Sequence, residues 1–552
     1  MPTVDPTNPA FSHTALSQYA QVVGPENVVL DDQALKSAGT ATFASGNRVI
    51  AIVRPQDRKQ VQECVRIGNR FGLPLYPVSG GKNWGYGSRV PACDGAVLLE
   101  LGRMNRILDF SEDLAYVTLE PGVTQGQLYA FLQQRRSRLW MDATGASPEA
   151  SVVGNTVERG FGHTPMGDHF GHACGLEVVL PGGEVIETGL SRFPAAAAPL
   201  YRWGVGASLD GLFSQSNFGI VTRMTAWLMP APEYFQAFFF RCDHPDDLGP
   251  VVDALRPLRI DGTLRSTVHI GNDYKVLSGL RQYPWKEMGG ATPLNSEVLA
   301  HFRKKLNFGF WNGSGGLYGT RPQVAEARRL VRRALRHKVS RLQFLDDRML
   351  HLASVFAKPY SLITGWDLSR TLELLKPVYG LMKGVPTGQP VASAYWRKKT
   401  PPPAVMDPDG DGCGLMWYSP IAPAEAGQAQ RLTSLAAEIL LSHGFEPQMS
   451  LSTVNERTLT CVISICYDRA VDGEDERAAG CHRELERRMA ESGFYPYRLG
   501  IHSMDALPQG GVYGDLLRSI KKLLDPNHLL APGRYEPLSA RNAQAARGMT
   551  SP

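Results

Sequence analysis

The chain has 552 residues, 43% hydrophobic and 20% charged, with a formal net charge of +5 spread over 58 basic and 53 acidic side chains. It carries no basic block of the kind that marks a nucleic-acid arm, since the densest cluster, Arg328 to Lys338, reads as the wet face of a helix. No run approaches the ~18 apolar residues needed to span a bilayer, and Met1-Pro2-Thr3-Val4-Asp5 lacks the basic start and apolar run of a secretory signal, so a cytoplasmic setting is expected.

Length alone allows three or four domain-sized units and ample core to enclose a cofactor. Arg48 to Val53 is a short apolar strand stopped by Arg54-Pro55. Asp57 to Phe71 places Val61, Cys64 and Val65 at helical spacing, and Gly72 is its expected C-cap. Leu73 to Val78 is the next strand, followed after a glycine-rich turn by Ala96 to Leu101 and Ala115 to Leu119. Leu176 to Leu180, the turn Pro181-Gly182-Gly183 and Glu184 to Thr188 predict a hairpin. Composition shifts after Trp227-Leu228-Met229-Pro230, where glycine thins out and amphipathic helices alternate with isolated strands. One helix is marked by Leu432, Leu435, Ala436, Ile439 and Leu440, closed by Gly444. Cys461 and Cys466 lie among apolar residues as buried strand positions. Near the end Leu516, Leu517, Ile520, Leu523 and Leu524 predict one apolar helix face ended by Asp525-Pro526.

Four glycines fall within Ser79-Gly80-Gly81-Lys82-Asn83-Trp84-Gly85-Tyr86-Gly87, directly after an apolar strand. Such a turn lets successive N–H groups form a concave anion site suited to a pyrophosphate. A second segment is similar: Gly154-Asn155-Thr156, then Glu158-Arg159-Gly160-Phe161-Gly162. Asn83 follows Lys82 where the phosphate loop of NTPases needs Ser or Thr, and no GxGxxG opens a helix after the first strand. A tight turn without a ligand is the competing reading. Asp407-Pro408-Asp409-Gly410-Asp411-Gly412 begins like a calcium loop, but its twelfth position is Tyr418, so a plain turn is expected. His163, His169 and His172 lack further metal ligands and are expected to hydrogen-bond, so no metal is expected.

Several ordered stretches resemble the vanillyl-alcohol oxidase and p-cresol methylhydroxylase family of flavoenzymes. They are Pro77 to Gly87, Tyr116 to Val123, Val153 to His169, Gly175 to Gly189, Leu209 to Met229, Ser419-Pro420, Tyr497-Arg498 and Asp525 to Arg534. The resemblance implies an α+β, two-domain flavoprotein: a PCMH-type FAD-binding domain and a cap with a large antiparallel sheet. The expected division is 1–232 for the first part of the FAD domain, 233–490 for the cap and 491–552 for the return to the FAD domain. It implies FAD contacts at Ser79, Gly80, Gly81, Lys82, Asn83, Gly85, Gly154, Asn155, Glu158, Arg159, Gly160, Gly162, Gly219 and Ile220.

By motif, the family's phenolate-binding trio falls on Tyr86, Tyr497 and Arg498, and Arg534 matches a cation near flavin N1 and the C2 carbonyl. Phe161, Trp417 and Ser450 are the expected pocket residues, with Phe161 replacing a smaller residue. The implied chemistry is hydride transfer from the benzylic carbon of a para-substituted phenol to flavin N5, through a p-quinone methide. Dioxygen or a c-type cytochrome is the expected acceptor, and a homodimer the expected assembly. Two departures stand out. Leu415 and Trp417 occupy the positions of the flavin-attaching His and Tyr, with Tyr418 one position off, so dissociable FAD is expected. After Leu139-Trp140-Met141-Asp142 comes Ala143-Thr144-Gly145, so the oxidase-type carboxylate near N5 is missing, and Asp142 and Glu149 are its nearest substitutes in sequence. Oxidation of 2-hydroxy acids or sugars on the same fold, and flavin binding without turnover, are the alternatives.

Overall fold

The computed structural model describes residues 9–364, 368–506 and 510–536. The leader reading of residues 1–5 and the last part of the 491–552 segment lie outside them. Among the described residues no helix is long and apolar enough to cross a membrane.

The architecture is mixed α and β in two domains. The N-terminal part holds two sheets. The first, of four strands, runs in the order Val28–Val29, Val49–Val53, Ala96–Glu100, Leu75–Val78, and its last three strands are parallel. Parallel neighbours need a crossover, and the helix Arg58–Phe71 supplies one. Its entry is capped by the Asp57 carboxylate, which accepts from Gln60 N, and its exit by Gly72 in the left-handed region at φ 65°. Val61, Cys64 and Val65 face the sheet as the sequence spacing predicts, and Phe71 joins them.

The second sheet is antiparallel, with Ile107–Ser111, Tyr116–Leu119, Ile220–Trp227, Ala173–Val179 and Val185–Glu187 side by side. The predicted hairpin is its Ala173–Val179 and Val185–Glu187 pair. Beyond Tyr234 an eight-stranded antiparallel sheet forms the cap. Its order is Arg341–Leu345, Tyr234–Cys242, Trp311–Gly319, His269–Asn272, Gln448–Ser452, Thr458–Asp468 and Cys413–Tyr418, with Ile421–Pro423 also paired to Thr458–Asp468. One face packs on helices, including Ala426–Ser442 through Leu432, Ala436, Ile439 and Leu440; the other looks toward the N-terminal sheets.

The chain end returns to the first part. Leu530 makes a parallel bridge with Leu75, and Ala531 N donates to Leu75 O at 2.7 Å. The helix Gly511–Leu524 packs Leu517, Ile520 and Leu524 on the second sheet's core. The predicted five-residue apolar face needs correction here: Leu516 and Leu523 are exposed, and Lys521 is buried in their place. Its ammonium pairs with Asp525 and donates to the carbonyls of Asn217 and Leu530, so three oxygens offset its desolvation.

Candidate active site

A cavity of about 490 Å³ opens between the N-terminal sheets and the cap sheet. Ser79 to Asn83, Gly154, Asn155, Glu158, Gly160, Gly219, Ile220 and Arg534 all line it, as do Tyr86, Phe161, Trp417, Ser450, Tyr497 and Arg498. Three expected contacts do not. Gly85 packs under Trp417 and accepts from Trp417 N at 3.2 Å; Arg159 turns its guanidinium to Ser214 Oγ at 2.9 Å; Gly162 abuts Asp142, whose Oδ2 lies 1.7 Å from where a Cβ would stand. These residues shape the walls behind the lining.

The glycine turn takes φ 65° at Gly81, and the N–H groups of Gly80 to Asn83 meet no protein acceptor among the described residues. Four successive donors without protein acceptors, on a turn that lines the cavity, suit an anion such as a pyrophosphate. Arg534, buried, reaches Tyr76 Oη at 3.1 Å and Glu158 Oε1 at 2.5 Å. Burial works against its charge, but the Glu158 carboxylate and neighbouring tyrosines hold it firmly protonated.

Tyr86, Tyr497 and Arg498 come together from opposite ends of the chain. Thr42 ties the turn to the cap: its Oγ1 accepts from Gly85 N at 3.0 Å and donates to Leu415 O at 2.8 Å. Tyr86 Oη bonds Ser419 Oγ at 2.7 Å, and Tyr497 N donates to Ser419 O at 3.1 Å, so buried Ser419 holds both tyrosines. Arg498 stacks over the Tyr86 ring at 4.6 Å, donates to Asn83 Oδ1 at 2.7 Å and pairs with Glu158 at 3.3 Å. Burial raises both tyrosine pKa values, Arg498 opposing it only in part, so both hydroxyls keep their protons. Burial disfavours the Arg498 cation, yet Glu158 and the tyrosines raise its pKa overall.

Neither substitute carboxylate reaches the cavity. Asp142 accepts from Thr164 N at 2.7 Å and His163 N at 3.2 Å and meets His169 Nε2 at 2.6 Å. Glu149 is largely exposed, with Lys82 3.5 Å away. Thr144, Gly145 and Ala146 form the wall instead, and Glu158 is the one carboxylate on the described lining. On the cap strand, alternation brings Leu415 and Trp417 to the cavity and turns Tyr418 away, its hydroxyl donating to Phe494 O at 3.3 Å. Tyr418 therefore does not face a cofactor. His169 also bonds Asn155 Oδ1 at 2.6 Å, and His172 Nδ1 lies 2.8 Å from Asp168 O. Sequence reasoning missed Ser419's role and three further lining residues: His163 and His269, stacked at 4.0 Å, and Lys275. Ser419 and His163 fall inside matched stretches that do not disclose these contacts, and no local motif marks His269 or Lys275, because strand pairing over long separations assembles the site.

A family model described as an FAD binding domain matches residues 49–189. Together with the fold and the anion-ready turn, this defines an FAD-dependent oxidoreductase. The chain is 45% identical to the 1'-carboxy-chondrochloren decarboxylase of Chondromyces crocatus, over 95% of this chain and 97% of that one. It is 32% identical to the flavoprotein subunit of 4-cresol dehydrogenase (hydroxylating) of Pseudomonas putida, over 94% of each. The 4-ethylphenol oxidase of Gulosibacter chungangensis, solved as an isoeugenol complex, superposes with a TM-score of 0.87 at 30% identity, over 97% of this chain and 99% of that one. The chain belongs to the vanillyl-alcohol oxidase and p-cresol methylhydroxylase family, and FAD is its cofactor. Donors, cavity and Arg534 fit that group.

Proposed function

We propose that this flavoenzyme oxidises para-substituted phenols at the benzylic carbon. The observation that carries the reading is the meeting of Tyr86, Tyr497 and Arg498 at one cavity. A free phenol ionises near pH ~10. Two hydroxyls that keep their protons, and a guanidinium that keeps its charge, bind the anion better than the neutral phenol. The bound phenolate pushes electron density to the para position and labilises hydride at the benzylic carbon. When bound, FAD supplies the acceptor for that hydride, and Arg534 supplies a compensating positive charge beside it. The substrate is left as a neutral p-quinone methide, to which water adds or from which a proton departs. With no uncommitted carboxylate on the described lining, alkylphenols are favoured over alcohols that need a base. Leu415 and Trp417 offer no nucleophile, which supports dissociable FAD.

A second reading is favoured by the 45% identity to a decarboxylase. A quinone methide is an electron sink: a carboxylate on the carbon next to the benzylic one leaves as CO2, and its bonding pair restores the phenolate as a vinylphenol. The test is anaerobic addition of 4-ethylphenol or vanillyl alcohol to the FAD-loaded protein. Loss of the oxidised flavin band with 4-ethylphenol supports the proposal; bleaching only by 2-hydroxy acids or sugars, or none at all, refutes it. Admitting air afterwards, with and without a c-type cytochrome, identifies the acceptor.

A further inference from the structure

Lys275 stands in the first turn of the helix Asp273–Leu280 and lines the same cavity as the tyrosines. Its mount is rigid: Asn272 Oδ1 accepts from both Lys275 N at 3.0 Å and Met449 N at 3.1 Å, and Asn272 Nδ2 donates to Pro447 O at 2.5 Å. Its ammonium touches one polar side chain, Ser393 Oγ at 3.4 Å, which also lines the cavity and donates to Pro390 O at 2.8 Å. Among the described residues no carboxylate lies within ion-pair distance of it. Glu446 is committed to Arg397 at 3.0 Å and Trp396 at 2.9 Å, Asp273 is taken by Arg303 at 2.5 Å, and Glu158 serves Arg498 and Arg534.

The nearby acids are thus already paired with other cations. Gln448, Ser464 and Trp417 are neighbours across three paired strands. Gln448 Nε2, Ser464 Oγ and, on the lining residue Trp417, Nε1 are buried without hydrogen-bond partners, while Gln448 Oε1 takes the Cys466 thiol at 3.7 Å. A desolvated cation is retained in a fold when something compensates it. Lys275 is half-buried at the cavity wall, and no carboxylate of the described residues compensates it there. Burial lowers the Lys275 pKa, with only the Cys466 sulfur opposing it, and an arriving anion would work against that shift.

We propose that Lys275, with Ser393, forms a carboxylate-binding subsite, so that the preferred substrate is a para-substituted phenol whose side chain carries an ionised acid. The proposal rests on the phenol reading above and adds the second point of attachment. It holds whether or not the carboxylate is afterwards lost.

The test compares 3-(4-hydroxyphenyl)propanoate with its neutral amide on the FAD-loaded protein. Anaerobic rapid mixing yields an apparent dissociation constant for each, and the ligand-induced rise in melting temperature is a readout independent of turnover. The acid should bind tighter than the amide by on the order of tenfold or more, the size of one charge-assisted hydrogen bond. In Lys275→Met that preference should collapse, and in Lys275→Arg it should persist. Damage to folding or to flavin binding would weaken acid and amide alike and leave their ratio intact. A wild-type protein that binds the amide as well as the acid, or a K275M variant that keeps the preference, overturns the subsite and leaves the phenol reading standing. If neither compound nor 4-ethylphenol reduces or perturbs the flavin, both proposals fall together.

Discussion

Replacing Tyr86 by Phe deletes one hydroxyl from the phenolate cradle and leaves the buried ring in place. Bringing a phenol from an ionisation near pH ~10 to one near pH ~7 takes about 4 kcal/mol at ~1.4 kcal/mol per unit. The Arg498 charge and two hydroxyl donors share that work, and one hydrogen bond to a charged oxygen contributes roughly 1.5–3 kcal/mol. The bound phenol in Y86F should therefore ionise about one to two pH units higher than in the wild type. At pH 7 anaerobic reduction by 4-ethylphenol should slow on the order of tenfold to a hundredfold, and it should recover as pH rises. The Tyr86 hydroxyl itself does not enter the profile, because burial, with Tyr497 next, holds its pKa well above ordinary. Ser419 Oγ loses its partner at 2.7 Å, a cost of about 1 kcal/mol that a thermal melt detects separately. Stopped-flow reduction rates from pH 6 to 10 measure the effect. A rate within twofold of wild type at pH 7, or a loss equal at every pH, refutes the role assigned to this hydroxyl.

Acid precipitation of the holoprotein should leave the yellow flavin in the supernatant, since neither Leu415 nor Trp417 can attach it; a yellow pellet refutes dissociable FAD. Gly162→Ala would place a Cβ 1.7 Å from Asp142 Oδ2 and 2.8 Å from the Ala143 carbonyl, breaking the Asp142–His169 pair. A loss of roughly 2–4 kcal/mol in stability is expected, and an unchanged melting curve would count against it. Asp409 has its carboxyl pushed up to about 7 by burial, with Asp407 adding to it against the Ser88 hydrogen bond. A folded pKa raised above the unfolded value contributes stability that is complete below pH ~4 and lost as pH rises through about 7. Asp409→Asn should therefore melt higher than wild type at pH 8, by up to about 4 kcal/mol, and alike at pH 4; equal melting at both refutes the shift.

Elements set by local chemistry were legible in the sequence. Asp57 and Gly72 announce both ends of their helix, and Pro181-Gly182-Gly183 announces its hairpin, because capping and turn geometry depend on a few adjacent residues. The C-terminal helix was read less well for the converse reason. Periodicity treats every leucine as core, whereas three carbonyl and carboxylate oxygens from Asn217, Asp525 and Leu530 draw Lys521 inward and rotate Leu516 and Leu523 to the surface. The glycine-rich segments marked the cavity but not which members face it, since Gly85 and Gly162 serve the close packing of Trp417 and Asp142. Lys275 stayed invisible because its meaning is the absence of an ion-pair partner, and the groups that do act on it, Ser393 and Cys466, lie far along the chain.

Charge balance links these observations. Arg498 and Arg534 share the single carboxylate of Glu158 and leave one positive charge uncompensated beside the glycine-lined cavity. Lys275 adds a second on the cap side of the same space. Cations withdrawn from water without partners destabilise a folded chain, so their retention is a cost carried by the ligand-free protein. Oriented in advance, the same charges need no reorganisation when negative charge arrives, and in a poorly solvated cavity they act strongly on it. An alkylphenolate satisfies the Arg498 cradle alone. A phenolate that also bears a carboxylate satisfies both ends, and so accounts for a cation that oxidation of a simple alkylphenol would leave without a partner.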